Sequence, residues 1–120
     1  MRNRLLPALA APFAALCLIL FSGVAFAQAN CHPAPMVEQY LAAFERRELG
    51  EAERVAFTAE FNAIPPETHY PAPARIILAA DRRALLIVIA HPAMEGMLCG
   101  VAVDRRETVD LVRKYLGAGA

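Results

Sequence analysis

Hydrophobic positions concentrate between Arg75 and Val103, where three apolar segments are separated by two polar breaks. Short apolar runs bounded by turn residues are typical of β-strands. The pattern therefore predicts three consecutive antiparallel strands joined by turns, and the second strand is apolar at both alternating positions, so both its faces should be covered. The predicted strands are 75–80, 85–90 and 97–103; the first turn is 81–83 (Asp-Arg-Arg) and the second is 92–96. Gly100, in the third strand, is predicted to mark a bulge or a close approach of the backbone.

Two amphipathic helices are predicted on either side of these strands. The first has apolar residues at i, i+3, i+4 and i+7, and should run from about Pro35 to a stop at Gly50. The second should have Asp104 as its N-cap, Glu107 completing a capping box, and Gly117 at its end. The apolar positions are Val37, Tyr40, Leu41 and Phe44 in the first helix, and Val109, Val112, Tyr115 and Leu116 in the second.

The segment from Glu53 to Phe61 fits two structures. Every second residue from Val55 to Phe61 is apolar, which favours a half-buried strand. A helix continuing past Gly50 is the alternative, because the segment contains no strong helix breaker. The fold class predicted is α+β: a single small domain with an antiparallel sheet of three to four strands and an N-terminal and a C-terminal helix packed on it.

A proline-rich segment, residues 62–74, separates that region from the sheet. Its four prolines cannot lie inside a sheet and favour extended backbone. We predict a long loop that carries His69 and Tyr70, and loops of this length are often functional.

The first 27 residues are predicted to be a cleaved signal peptide. Arg2 and Arg4 precede an almost wholly apolar run from Leu5 to Phe21, and Ala25-Phe26-Ala27 offers small residues to signal peptidase. Cleavage after Ala27 leaves a domain of residues 28–120 in the periplasm or outside the cell. The alternative is an uncleaved membrane anchor, because the run approaches the ~20 residues of a membrane span; after cleavage no stable span is expected.

Charge and cysteine content narrow the function classes. The chain has 12 basic and 12 acidic residues, and loss of two signal arginines leaves a mildly acidic domain, which gives no support for nucleic-acid binding.

Of the three cysteines, Cys17 is removed with the predicted signal peptide. Cys31 and Cys99 remain and should form a disulfide in an oxidising compartment.

Candidate catalytic and metal-binding residues are few. No serine follows Gln28, which leaves no serine nucleophile. A zinc site of Cys31, His32, His91 and Cys99 has suitable ligands, but the first two residues are adjacent and the cysteines more readily oxidise. We therefore predict no metal and no cofactor, and interpret His91 as a strand-end residue that contacts the following turn.

The arginines occur in pairs at 46–47, 82–83 and 105–106. If the second and third pairs converge, they can hold an anionic group or an acidic partner surface; the alternative is a set of solvated charges with acidic neighbours. The candidate contact surface comprises His69, Tyr70, Arg82, Arg83, His91, Arg105 and Arg106.

The order of these elements, with Cys31, Leu49-Gly50-Glu51 and Leu98-Cys99-Gly100, resembles small uncharacterised exported proteins of proteobacteria. The resemblance implies export and fold and carries no activity. This chain departs from those proteins in lacking an aromatic residue in segment 84–89. The predicted function is a non-enzymatic binding or accessory module of the bacterial envelope, whose partner is a protein or an envelope component. The alternatives are a small hydrolase or metal-dependent enzyme using His69 and His91, and a purely structural accessory subunit.

Overall fold

The computed structural model describes residues 30–65 and 69–118, so the predicted signal peptide lies outside the described residues. Within them, a short 3₁₀ turn, Leu41–Ala43, follows the first helix. The strands and α-helices in chain order are β1 (Asn30–Pro33), α1 (Ala34–Tyr40), β2 (Glu45–Glu48), α2 (Glu51–Asn62), β3 (Ile76–Ala80), β4 (Leu85–Ala90), β5 (Met97–Ala102) and α3 (Arg106–Gly117).

The strands form one sheet in the order β1-β5-β4-β3-β2. The three predicted strands are confirmed as β3, β4 and β5, which pair antiparallel so that Val88 lies opposite Ile77 on one side and Gly100 on the other. The α+β class is confirmed. The predicted count of three to four strands is too low, because β1 and β2 add a strand at each end of the sheet.

Both faces of the central strand β4 are covered, as its continuous apolar sequence predicts. On one face, Val37 and Leu41 of the α1 region pack on a buried cluster of Ile77, Ala79, Leu86, Val88 and Leu98. Alternate residues point to the opposite face. There α3, which buries Leu111, Val112 and Tyr115, contacts β3 and β4 and also packs against α2.

The predicted extent of the first helix is wrong at its C-terminal end. The backbone becomes extended at Phe44, where the apolar stripe ends, and Glu45–Glu48 pairs antiparallel with β3. A helix continuing past Phe44 would have no apolar face left to bury, whereas the strand satisfies the hydrogen-bonding groups along one side of β3.

The segment from Glu53 to Phe61 is helical, so the strand prediction was wrong and the helix alternative was right. Phe57 and Phe61 lie one helical turn apart with ring centroids 6.4 Å from each other. Val55 is 57% exposed, which shows that the alternating pattern did not mark a buried face. Gly50 is therefore the N-cap of α2 and not the end of α1, and its N–H donates to Glu53 Oε1 at 3.3 Å.

Two smaller predictions are also corrected. The last helix begins one residue late, with Arg105 instead of Asp104 as the N-cap and no side-chain cap bond. The reason is that Val103 N–H still donates to Leu85 O at 2.8 Å, which prolongs the strand pairing. Gly100 is not a bulge, because the register continues through it, although a Cβ there would lie 3.4 Å from Val88 Cγ2.

Helices α2 and α3 are joined through Glu60. Its carboxylate accepts hydrogen bonds from the Tyr115 hydroxyl at 2.5 Å and from Lys114 Nζ at 2.9 Å. The Tyr115 ring also meets Phe57 edge to face, 5.2 Å between centroids. The hydrogen bond to Glu60, followed by burial, raises the pKa of Tyr115 to about 12, and the Tyr115 and Lys114 bonds lower the pKa of Glu60.

This pairing predicts a loss of stability at alkaline pH. The pKa of Tyr115 is higher in the folded than in the unfolded chain, so its contribution is complete below the unfolded pKa of about 10 and is lost as pH rises towards about 12. Urea unfolding at a series of pH values should show a steeper decline in this window for the wild type than for Tyr115→Phe. Glu60→Gln removes the carboxylate that accepts from the Tyr115 hydroxyl and should flatten the decline as Tyr115→Phe does; equal slopes for wild type and Tyr115→Phe would contradict the assignment.

Candidate functional site

The predicted disulfide is confirmed: Cys31 in β1 is bonded to Cys99 in β5, with a Cα–Cα distance of 4.0 Å. The two residues are 68 positions apart in sequence, yet they lie on neighbouring strands of the sheet. The bond therefore fixes the start of the described chain to the strand next to the centre of the sheet.

His91 lies at the end of β4, beside this disulfide. Its backbone N–H donates to Met97 O at 3.0 Å, and its Nδ1 accepts the backbone N–H groups of Ala93 and Met94, each at 2.9 Å. The predicted strand-end turn contact is confirmed. The turn it organises closes at Gly96, whose φ of 82° is a conformation that glycine adopts readily.

Cys31, His91 and Cys99 form a cluster whose ligand atoms all lie within 4.8 Å of one another. Cys99 is buried and the other two residues are half-buried. These are three of the four residues of the zinc alternative; His32 is not part of the cluster. The sulfur atoms are joined as a disulfide, so in this form they are not thiolate ligands.

The proline-rich loop is closed at its base by Asn62. Its side-chain amide donates to Tyr70 O at 2.8 Å and its Oδ1 accepts Tyr70 N–H at 3.0 Å. The Phe61 and Tyr70 rings lie 6.2 Å apart. His69 and Tyr70 are exposed.

A cleft of about 680 Å³, here called the arginine cleft, lies at the β3–β4 turn. The turn itself is held by Asp81, whose Oδ1 accepts the backbone N–H groups of Arg83 and Ala84 at 2.8 Å each. The cleft is lined by Ala43, Glu45, Ala80, Asp81, Arg82, Arg83 and Arg113.

The two arginine pairs of the sequence hypothesis are not placed together in this cleft. Arg105 donates to the carbonyl of Pro65 and lies 3.7 Å from Glu107. Arg113 of α3 instead joins Arg82 and Arg83. The sequence shows Arg113 only as a cation in a last helical turn, where it suits the helix dipole, and offers no sign that this turn lies beside the hairpin.

Several other arginines are engaged within the fold. Arg75 donates to both carboxylate oxygens of Glu48, at 2.7 and 2.8 Å, and lies 3.1 Å from Glu38. These bonds raise the pKa of Arg75, and the same hydrogen bonds lower the pKa of Glu48. Arg47 binds Glu53 and donates to Tyr115 O at 2.8 Å. Such arginines hold β2 to its neighbours.

Among the described residues, four arginines make no side-chain hydrogen bond or ion pair: Arg82, Arg83, Arg106 and Arg113. Three of these four line the arginine cleft. A guanidinium presents a planar fork of donors that fits carboxylates and phosphates. Among the described residues, the cleft therefore collects three of the four guanidinium groups that have no side-chain partner.

Neither His69 nor His91 lines the arginine cleft. No helix among residues 30–65 and 69–118 is long and apolar enough to cross a membrane.

Comparisons with protein-family models, with curated proteins and with solved structures give no match for this chain.

Proposed function

We propose that this chain is a small exported, non-enzymatic binding module of the bacterial envelope that holds an anionic group of its partner in the arginine cleft. The observation that carries the proposal is the meeting of Arg82, Arg83 and Arg113 in one cleft, with no side-chain partner among the described residues. The group bound is a carboxylate or a phosphate of a protein or an envelope component.

The charge of the cleft supports an anion. Three arginines and two acidic residues line it, which leaves one formal positive charge on a domain that is mildly acidic once the signal is removed. Asp81 is already used as the acceptor of two backbone N–H groups of the turn. Glu45 is the second carboxylate in the lining and makes no ion pair with the cleft arginines among the described residues, so the three guanidinium groups are not occupied by it.

The position of the cleft supports specific binding. Arg82 and Arg83 project from a turn fixed by Asp81, and Arg113 projects from a helix packed on the sheet. A site held by a short hydrogen-bonded turn and a packed helix loses less conformational freedom on binding than one on a long loop. The exported location is supported by the N-terminal targeting pattern and by the disulfide, which an oxidising compartment favours.

The experiment is an NMR titration of the full chain with inorganic phosphate and, separately, with citrate, at constant ionic strength. Saturable shifts are expected for the backbone N–H groups of Arg82 and Arg83 and for the side-chain Nε–H groups of all three cleft arginines. If the shifts saturate with only one of the two anions, that anion shows whether the cleft prefers phosphate or carboxylate groups. The variant Arg83→Gln/Arg113→Gln should weaken binding by about tenfold or more, since hydrogen bonds to charged groups contribute ~1.5–3 kcal/mol each.

Arg106→Gln is the matched control, because Arg106 also lacks a side-chain partner among the described residues but does not line the cleft. It should bind as the wild type does. Equal shifts with chloride at the same ionic strength, or undiminished binding by the double variant, would show that the cleft is an ordinary solvated surface. Capture from the native envelope fraction with wild type and the double variant then identifies the partner that depends on the cleft.

A further inference from the structure

We propose that reduction of the Cys31–Cys99 disulfide creates a zinc site in which the two thiolates and the imidazole of His91 are the protein ligands. The site is separate from the arginine cleft, whose lining contains none of these three residues. β1 and β5 are then cross-linked either by the Cys31–Cys99 disulfide or by a zinc ion bound to the same two cysteines.

The sheet brings the ligands together. Cys31 is on β1 and Cys99 on the neighbouring strand β5, and His91 directly follows β4, the next strand in the sheet. Cys99 is paired in register with Ile89, two residues before His91, and the backbone N–H of His91 still donates to Met97 O of β5. The two cysteines are therefore held by strands, and the backbone of His91 is held at the end of one.

The spacing suits a tetrahedral ion. Zinc bonds of ~2.3 Å to sulfur and ~2.0 Å to nitrogen place neighbouring ligand atoms roughly 3.5–4 Å apart. The present ligand atoms lie within 4.8 Å of one another. Breaking the disulfide moves the sulfur atoms apart towards that separation, so adjustments on the order of 1 Å complete the site.

The chemistry of the ligands favours zinc. Two thiolates balance the charge of a divalent cation, and this matters because Cys99 is buried, where an uncompensated thiolate is costly. Thiolate and imidazole are ligands that zinc prefers. Three protein ligands leave the fourth position to a water molecule or to a group from a partner.

Reduction of the disulfide needs an external two-electron reductant and no group from the arginine cleft. A dithiol reductant gives two electrons and two protons to the Cys31–Cys99 bond, yielding two thiols and the oxidised cyclic disulfide of the reductant. Zinc binding then releases the two thiol protons to solvent as the thiolates coordinate.

Coordination also changes the turn after β4. At present Nδ1 of His91 accepts the N–H groups of Ala93 and Met94. If Nδ1 binds the metal its lone pair is used, and if Nε2 binds the metal Nδ1 must carry the proton. Both backbone hydrogen bonds are lost in either case, so the metal-bound form has a rearranged turn at residues 92–96.

The test uses the full chain, reduced with a phosphine that is then removed without oxygen, and titrated with Co²⁺ as a spectroscopic substitute for zinc. A single equivalent should give thiolate-to-cobalt charge transfer and the intense visible bands of a tetrahedral site, and Zn²⁺ should abolish them. The oxidised protein should give neither. The N–H resonances of Ala93 and Met94 should shift on metal binding.

Cys31→Ser and Cys99→Ser should each remove about half of the charge-transfer intensity per bound ion. His91→Ala should weaken cobalt binding by at least about tenfold, the smallest loss seen for residues that merely support a metal ligand. His69→Ala is the control, because His69 is exposed in the proline-rich loop, and it should bind cobalt as the wild type does.

If the reduced chain unfolds, circular dichroism recorded during the same titration still tests the proposal, because it measures whether the metal restores the fold. A metal-dependent return of the native spectrum that requires His91 supports the site, because binding energy then drives folding. Absence of charge transfer, or binding unchanged by His91→Ala, overturns the proposal.

Discussion

Replacing Val88 with aspartate should abolish cooperative folding. Val88 is 2% exposed on the central strand, with Ile77 and Gly100 opposite it on the two neighbouring strands. It belongs to the apolar cluster beneath α1, which contains no partner for a carboxylate. An uncompensated buried charge costs ~3–5 kcal/mol, to which the lost packing of the valine is added, against a total stability of ~5–15 kcal/mol. Far-UV circular dichroism and urea titration measure the loss.

The matched control is Val55→Asp, the same substitution at a valine that is 57% exposed on α2. There the carboxylate stays in water, and we expect a change within about 0.5 kcal/mol. A soluble Val88→Asp protein that unfolds cooperatively near the wild-type urea midpoint would show that this strand is not at the centre of the core. Equal damage from both variants would point to a general effect of the added charge instead.

Loss of the disulfide should have the second largest effect. The bond closes a loop with a sequence separation of 68 residues, and the chain-entropy relation for such a loop gives a stabilisation of about 4 kcal/mol. The double variant Cys31→Ser/Cys99→Ser should therefore unfold at a much lower urea concentration than the oxidised wild type. Measurements without added metal are essential, since a metal bound to the reduced wild type would restore part of the lost stability.

The reduced wild type without metal should match the double serine variant, which controls for the change of side chain. In the oxidised wild type both residues should resist thiol reagents until a reductant is added. A urea midpoint unchanged by removal of the bond would contradict the expected stabilisation, and labelling of both cysteines in the native oxidised protein would show that they are not bonded.

The strands β3, β4 and β5 could be predicted from sequence because each is an apolar run bounded by turn residues. β2 could not, since Glu45-Arg46-Arg47-Glu48 has no apolar residue and becomes a strand only by pairing with β3. For α2 the local pattern favours a strand over the helix alternative, because Val55 completes an alternating pattern although it faces solvent. The buried face of α2 depends on packing against α3, which a local pattern does not reveal.

The candidate sites also differ in how far the sequence predicts them. The disulfide can be predicted by counting the cysteines that remain after the predicted signal peptide, because two cysteines have one intramolecular pairing. His91 could be placed at a strand end from the apolar run before it. The grouping of Arg113 with Arg82 and Arg83 depends on where α3 crosses the sheet, and no spacing in the sequence encodes that position.

The charged strand β2 also bears on how the protein behaves at high concentration. It lies at one end of the sheet order, and each of its four residues carries a charge. If the β2 strands of two molecules paired antiparallel in full register, glutamate would lie opposite glutamate and arginine opposite arginine, and like charges directly opposite each other destabilise a strand pair. Natural sheets use charged outer strands of this kind to prevent polymerisation. We therefore expect this edge of the sheet to resist strand addition by other molecules, so that its charge opposes polymerisation of an otherwise apolar sheet at high concentration.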